Sequence, residues 1–215
     1  PAWGSKQPKP ADADVVSYVL TSGGELARRR KEGKEEDEET AVLRAAVFRE
    51  IARGEASLAL EKRAARALEA LVKAGTAQQL RGVFARLKPY VGFLIYDPCG
   101  SRVVQAIIET AGAFPARHAA SFPLLRELAD NASRVDEWWA MMHDANATHV
   151  ARALVRVLAE RGEEADADAL LRVGDAVMRG EDSDVRNALR NPYAGGFLAV
   201  LVEAVMPAPC PGLAR

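Results

Sequence analysis

A short pattern of small, polar and apolar residues recurs four times along the chain. It reads small–polar–apolar–apolar–polar–x–apolar–apolar, and its copies occupy residues 65–72 (ARALEALV), 101–108 (SRVVQAII), 148–155 (THVARALV) and, in weaker form, 195–202 (GGFLAVLV). In each copy the apolar positions fall at helical spacing and predict a helix with one buried side. Successive copies are 36, 47 and 47 positions apart, which is typical of stacked helical repeats.

Amphipathic stretches also fill the intervals between the copies, and no stretch alternates in the manner of a β-strand. We predict helices over residues 11–20, 40–53, 58–74 and 78–87, with a continuation over 90–96. The first of these should end at Gly23-Gly24, because glycine is a common helix terminator. In the second, Val42, Val47 and Ile51 lie on the side predicted to be buried.

The predicted fold is all-α, a right-handed α-solenoid of helical repeats over residues 40–206. Residues 1–39 are predicted to form an N-terminal arm and a charged linker, and the Pro-rich residues 207–215 a tail or linker. Pro115 and Pro123 interrupt helices, so the interval before the third copy is predicted to hold two short helices and a loop.

Charge is nearly balanced, with a formal net charge of −1 over 215 residues, and provides no general attraction for nucleic acid. Residues 61–90 nevertheless carry seven basic and two acidic side chains. Such a strip either guides a phosphate backbone or covers helix sides with its aliphatic stems, and both interpretations stay open. The basic block 28–31 is predicted to be a solvated linker or helix end, with phosphate contact as the alternative. Residues 162–184 hold eight acidic side chains against two arginines, so they should face away from any nucleic-acid ligand.

The sequence shows no constellation for catalysis, metal binding or a cofactor, so neither an enzyme nor a small-molecule substrate is expected. Cys99 and Cys210 are far apart, and the histidines lack ligand partners at metal-binding spacing. Asp97 and Asp144 precede two of the copies at equivalent positions, which favours helix capping over paired-carboxylate chemistry. No apolar run is long enough to predict a membrane span.

The copy at 101–108 carries groups that suit a nucleobase. Ser101, Arg102 and Gln105 lie opposite the apolar stripe, where the hydroxyl and amide can bond a base edge and the guanidinium can stack on its face. The alternative is an ordinary solvated helix face above a core stripe. The run 138–142 (WWAMM) also offers aromatic rings for stacking, but its composition favours a place in the core.

The segment 97–105 (DPCGSRVVQ) resembles a Pumilio repeat, whose recurring core is an aspartate followed closely by Ser/Asn-Arg/Tyr-Val-x-Gln. Two further segments, 143–155 (HDANATHVARALV) and 79–84 (QLRGVF), resemble the nucleolar Pumilio-like family called nucleolar protein nine. The resemblance spans about residues 41–206. It implies a curved array of repeats that binds RNA in the nucleolus and acts in small-subunit pre-rRNA maturation, within ribosome biogenesis, alongside ribosomal or pre-ribosomal proteins.

The resemblance also implies roles for particular side chains. Ser101 and Gln105 would contact the edge of a base, with a preference for adenine, and Arg102 would stack on it. The positions that correspond in the other copies are Arg66, Glu69, Thr148, His149 and Arg152. Gly195, Gly196 and Ala199 offer almost nothing to a base, so these departures favour binding led by shape and backbone. Two alternatives stay open: a helical scaffold that touches only proteins in such a particle, and an organellar or cytoplasmic ribonucleoprotein.

Overall fold

The computed structural model describes residues 6–34, 37–114, 124–131, 135–162, 164–180 and 182–206. These residues form helices joined by turns and coil, without a strand among them. The prediction of an all-α fold is confirmed. The chain divides into two compact units, residues 1–122 and 123–215, and each is considered by itself.

The first unit contains the following helices, interrupted by a 3₁₀ turn at Lys88–Tyr90: α1 (Ala13–Lys31), α2 (Glu38–Glu50), α3 (Glu55–Leu58), α4 (Lys62–Ala74), α5 (Ala77–Leu87), α6 (Val91–Leu94) and α7 (Gly100–Ala113). The second contains α8 (Leu124–Asn131), α9 (Val135–His143), α10 (Ala147–Arg161), α11 (Glu164–Met178), α12 (Asp182–Arg190) and α13 (Pro192–Val205). After α1, the helices of the described residues fall into four groups of three, α2–α4, α5–α7, α8–α10 and α11–α13, and we treat each group as one repeat.

The four recurring copies of the sequence pattern lie in the last helix of each repeat, which is α4, α7, α10 or α13. In the first unit α4 packs along α7, with Leu68, Leu71 and Val72 of α4 almost completely buried. In the second unit α10 packs along α13 in the same way. The apolar stripe of each copy therefore holds these helices side by side, as the repeat pattern predicts.

The N-terminal segment differs from the prediction. The helix expected at 11–20 instead runs from Ala13 to Lys31, through Gly23-Gly24, so the expected stop was wrong. α1 packs on α4, and a Cβ at Gly23 would lie 3.4 Å from the Cβ of Ala67, so glycine here permits close helix contact instead of ending the helix. Pro8 is buried and the amide of Lys6 donates to the carbonyl of Pro89 at 3.2 Å. Residues 6–31 thus belong to the first unit, while residues 1–5 lie outside the described part.

Two further helix predictions need correction. Residues 58–74 do not form one helix, because α3 ends at Leu58 and α4 starts afresh at Lys62. Val47 of α2 and Ile51, directly after its end, are buried as predicted, but Val42 of α2 is 65% exposed. The prediction for α5 is confirmed, with Leu80 and Val83 among its buried residues. Pro115, Pro123 and the tail at 207–215 lie outside the described residues.

The tryptophan-rich run lies in the core of the second unit, as predicted. Trp138 is completely buried and stacks on Phe197 of α13, with ring centroids 5.5 Å apart. Met141 and Met142 are also buried. A Cβ at Gly180 would come within 2.3 Å of the ring of Trp139, so only glycine allows the end of α11 to approach this ring. Throughout the described ranges, no helix combines the length and apolarity needed to cross a membrane.

Candidate nucleic-acid interface

A polar side chain caps the N-terminus of each of the four recurring helices. Oδ1 of Asp97 accepts from the amides of Cys99 and Gly100, both at 2.8 Å, and Oδ1 of Asp144 accepts from two amides at the start of α10 at the same distance. The predicted capping by these two aspartates is confirmed. Oδ1 of Asn191 accepts from two amides at the start of α13, and the carboxylate of Glu61 accepts from the amide of Ala64 in α4. These caps, spaced by 36, 47 and 47 residues, fix the start of each helix and hence the register of the side chains that follow.

Removing a cap should cost stability without changing the surface. We expect Asp144→Ala to lower the free energy of unfolding by about 1 kcal/mol, because two amides at the start of α10 lose their acceptor. Asp144→Asn keeps the accepting oxygen, as Asn191 does in the next repeat, and should stay within about 0.5 kcal/mol of the original chain. Urea denaturation followed by circular dichroism measures both, and equal losses in the two variants would contradict the capping role.

The side chains that project from α4 and α7 form the most open part of the candidate site. Arg66 and Arg102 occupy the second position of their copies, are both exposed, and form no ion pair with any described residue. Because α4 and α7 pack side by side, these guanidinium groups belong to neighbouring helices of one surface. Glu69 and Gln105, three residues on, are half-buried, and Nε2 of Gln105 donates to Oε1 of Glu109 at 2.7 Å. We name the surface of Arg66, Glu69, Arg102 and Gln105 the first-unit ridge.

The first position of the pattern does not lie on the ridge, and the expectation that Ser101 and Thr148 are exposed was wrong. Ser101 is 4% exposed, Thr148 is completely buried, and Ala65 in the first copy is 2% exposed. The hydroxyl of Thr148 donates to the carbonyl of Tyr193 on α13 at 3.3 Å. This position faces an adjacent helix, so its small size serves close packing. The recurrence of a small residue in all four copies was itself the sequence signal for that packing.

In the second unit the corresponding side chains are His149 and Arg152 of α10. His149 is exposed and Arg152 is half-buried, and Nη2 of Arg152 donates to Nδ1 of His149 at 3.0 Å. The same guanidinium lies against α13, because a Cβ at Gly196 would be 3.2 Å from its Nη1 atom. α13 itself contributes only Gly196 and Ala199 at the ridge positions. The structure thus brings His149, Arg152 and Gly196 together across two packed helices.

Several other basic side chains are neutralised by acidic neighbours. In the block 28–31, Arg28 and Arg29 pair with Glu25 at 2.7 and 2.8 Å, and these hydrogen bonds, that of Arg28 first, lower the pKa of Glu25 to about 2. A helix end stabilised by ion pairs is therefore the interpretation that the structure supports for these two arginines. Within 61–90, Arg86 pairs with the buried Glu55 at 2.6 Å.

The exposed basic side chains of the strip 61–90 are, besides Arg66, those of Lys62, Arg63, Lys73, Arg81 and Lys88. Part of the acidic segment 162–184 is internal, because Asp166 is buried and pairs with Arg126 at 2.9 Å and with Arg161 at 2.8 Å.

Metal and thiol chemistry gain no support from the side chains that the structure describes. Among these, no three of His, Cys, Asp and Glu come together as a metal site would require. His143 stacks on Trp139, and its Nδ1 lies 2.8 Å from the carbonyl oxygen of that residue. Burial, and then the charge of Asp97, raise the pKa of the half-buried Cys99 thiol. His118 and Cys210 lie outside the described residues.

Comparison with solved structures places this arrangement among known folds, whereas no protein-family model and no curated protein matches the sequence. The chain is similar to APUM23 with its insert region deleted, solved with GGAAUUGACGG, at 17% identity and a TM-score of 0.74 over 91% of this chain and 37% of that one. It is similar to the RNA-binding domain of yeast Puf5p bound to SMX2 RNA, at 14% identity and a TM-score of 0.66 over 89% and 49%. It is also similar to the Puf4 RNA-binding domain bound to the HO endonuclease RNA 3' UTR recognition sequence. The sequence identity is 13% and the TM-score is 0.52, over 84% of this chain and 59% of that one.

These likenesses show the fold. The chain has the all-α Pumilio-repeat fold, so the predicted resemblance to Pumilio repeats is confirmed at that level. It spans less than two thirds of each of the three solved chains, from 37% to 59% of their length.

Proposed function

We propose that this chain binds single-stranded RNA through the ridges of its repeats. The observation that carries the proposal is the pair of exposed guanidinium groups, Arg66 and Arg102, at equivalent positions of the packed helices α4 and α7. Their planar groups can stack on bases, and a strip of exposed basic side chains lies in the same unit. The structural neighbours that share the fold are domains solved with RNA.

The proposed contacts are of two kinds. Arg66 and Arg102 stack on bases, and Gln105 bonds a base edge once its amide leaves Glu109. Ser101 and Thr148 make no base contact in this proposal, because both are buried. Glu69 brings a negative charge to the ridge, and Gly196 and Ala199 bring no hydrogen-bonding side chain, so shape and phosphate contacts contribute more than base reading.

The proposed RNA is a precursor of the small-subunit rRNA, and the proposed place of action is the nucleolus, within ribosome biogenesis. The support is the resemblance of residues 79–84 and 143–155 to the nucleolar family described above, together with the structural likeness to APUM23. Crosslinking the protein to RNA in cells and sequencing the recovered fragments tests this part. Recovery of messenger RNA without precursor rRNA would contradict it.

Binding itself is tested with a labelled GGAAUUGACGG 11-mer and with a random single-stranded RNA pool, by fluorescence anisotropy at 50 and 200 mM salt. Binding that weakens with rising salt is the expected result, because phosphate contacts release counterions. The chain covers only part of the solved RNA-bound domains, so lower affinity than theirs is expected. Failure to bind either RNA at 50 mM salt would overturn the proposal.

A helical scaffold that contacts proteins is the second candidate function. The observation in its favour is the outer face of α13, where Val202 is 54% and Val205 is 41% exposed. The equivalent residues of α10, Val155 and Leu158, are buried at 0% and 1% because the next helix covers them. Affinity purification of the chain with nuclease treatment separates the two functions, since a scaffold retains its partner proteins and an RNA-dependent complex loses them.

A further inference from the structure

One arginine of the second unit places its guanidinium group against a neighbouring helix. Arg152 projects from α10, yet its guanidinium lies against the backbone of α13 beside Gly196, where an added Cβ would be 3.2 Å from Nη1. The hydrogen bond from its Nη2 to Nδ1 of His149 fixes the orientation of the planar group. Arg152 as a whole is half-buried, and the hydrogen bond between its Nη2 and His149 is exposed to solvent.

The position of Gly196 in the recurring pattern shows which side chain Arg152 replaces. Gly196 holds the same position in its copy as Arg66 and Arg102 hold in theirs. Those two helices carry their own guanidinium at that position, and α13 carries no side chain there. Arg152, from the position that corresponds to Gln105, reaches across and occupies the space that a side chain of α13 would otherwise fill.

We propose that Arg152 is the stacking group of the fourth ridge, supplied to α13 by the preceding helix, and that Gly196 is the residue that makes room for it. The inference rests on the proposed RNA-binding function. It assigns a base-binding position to the copy at 195–202, whose own Gly195, Gly196 and Ala199 provide no side chain that can bind a base. The ligand is a single unpaired base of RNA, held on the open face of the guanidinium.

Neighbouring glycines provide a matched test. A Cβ at Gly196 presses on Nη1 of Arg152, whereas a Cβ at Gly195 meets nothing closer than the carbonyl oxygen of Leu189 at 3.8 Å. Both replacements add one methyl group within the same helix, where alanine favours the helical state more than glycine does. Gly196→Ala should shift the guanidinium by a few tenths of an ångström, and Gly195→Ala should leave it in place.

The measurement is affinity for a random single-stranded RNA pool, by fluorescence anisotropy at fixed salt. We expect Arg152→Ala to weaken binding about tenfold, Gly196→Ala to weaken it by more than Gly195→Ala but by no more than Arg152→Ala, Gly195→Ala to change it less than twofold, and the double variant Arg152→Ala with Gly196→Ala to be no weaker than Arg152→Ala. Arg152→Lys should lose as much RNA affinity as Arg152→Ala, because lysine keeps the positive charge but has no planar group on which a base can stack. Circular dichroism of each variant confirms that it is folded.

Different outcomes separate this inference from the proposed function. If Arg102→Ala weakens binding but Gly196→Ala behaves as Gly195→Ala, the role of Arg152 in the fourth ridge is overturned and RNA binding stands. If Arg152→Lys binds as tightly as the original chain, Arg152 is a phosphate contact and the stacking role is overturned. If the original chain binds no RNA, both the function and the inference are overturned.

Discussion

Replacing Arg66 and Arg102 together by alanine weakens the binding of single-stranded RNA by at least about 30-fold. A base stacked on a side chain contributes roughly 1–3 kcal/mol when measured by alanine substitution, so two such losses amount to at least about 2 kcal/mol. Both side chains are exposed and neither is held by an ion pair with a described residue, so their removal should leave the fold intact. Fluorescence anisotropy with the random RNA pool at several salt concentrations measures the change.

Two controls identify the cause of that loss. Arg66→Lys with Arg102→Lys keeps both positive charges, so a loss that persists in this variant is due to the missing planar faces. Arg28→Ala removes one arginine that is already paired with Glu25 and Glu32, and it should alter affinity less than twofold. Unchanged affinity in the double alanine variant would contradict RNA binding by the first-unit ridge.

Arg86→Ala lowers the free energy of unfolding by about 3 kcal/mol at neutral pH. Glu55, at the start of α3, is 1% exposed, and its carboxylate accepts from Arg86 of α5 at 2.6 Å and from the amide of Arg53 at 2.8 Å. Removing Arg86 leaves a buried carboxylate without its charged partner. Arg81→Ala, an exposed arginine on the same helix, is the matched control and should cost less than about 0.5 kcal/mol.

The dependence on pH provides the sharper test. Burial raises the pKa of Glu55 above its ordinary value, even though Arg86 opposes the shift. A carboxyl whose pKa is raised by folding favours the folded state when protonated, and that contribution is lost as pH rises through the raised pKa. Without Arg86 the pKa rises further, so the deficit of Arg86→Ala should shrink as the pH falls toward that value. A deficit that stays constant with pH would show that lost packing of the arginine stem, and not an unpaired carboxylate, is the cause.

The positions of the four recurring helices follow from local chemistry. The apolar stripe at 65–72, 101–108, 148–155 and 195–202 and the capping side chain before each copy are both short-range features. Burial of the stripe and capping by Asp97 and Asp144 were therefore predictable. The caps at Glu61 and Asn191 follow the same spacing and could have been found by extending the comparison of Asp97 with Asp144.

Other features depend on what each helix packs against. Gly23-Gly24 looks like a helix end, but α1 continues because the missing Cβ allows contact with Ala67 of α4. Ser101 looks like a ridge residue, but that face of α7 is buried. The first position of the pattern is small in every copy, which is the sequence signal for close helix packing. That signal can be interpreted only once the neighbouring helices are known to be in contact.

The sequence by itself determined that the chain is all-α, that its recurring helices begin at a capped turn, and that Arg66 and Arg102 share a position in successive copies. These properties depend on contacts within a few residues, which the order of side chains specifies directly. Only the tertiary structure decided that Ser101 and Thr148 are enclosed, that Arg86 is neutralised by Glu55, and that Arg152 lies on Gly196 forty-four positions away. Those outcomes depend on which helix stands beside which, because burial and charge pairing are set by distance in space and not along the chain.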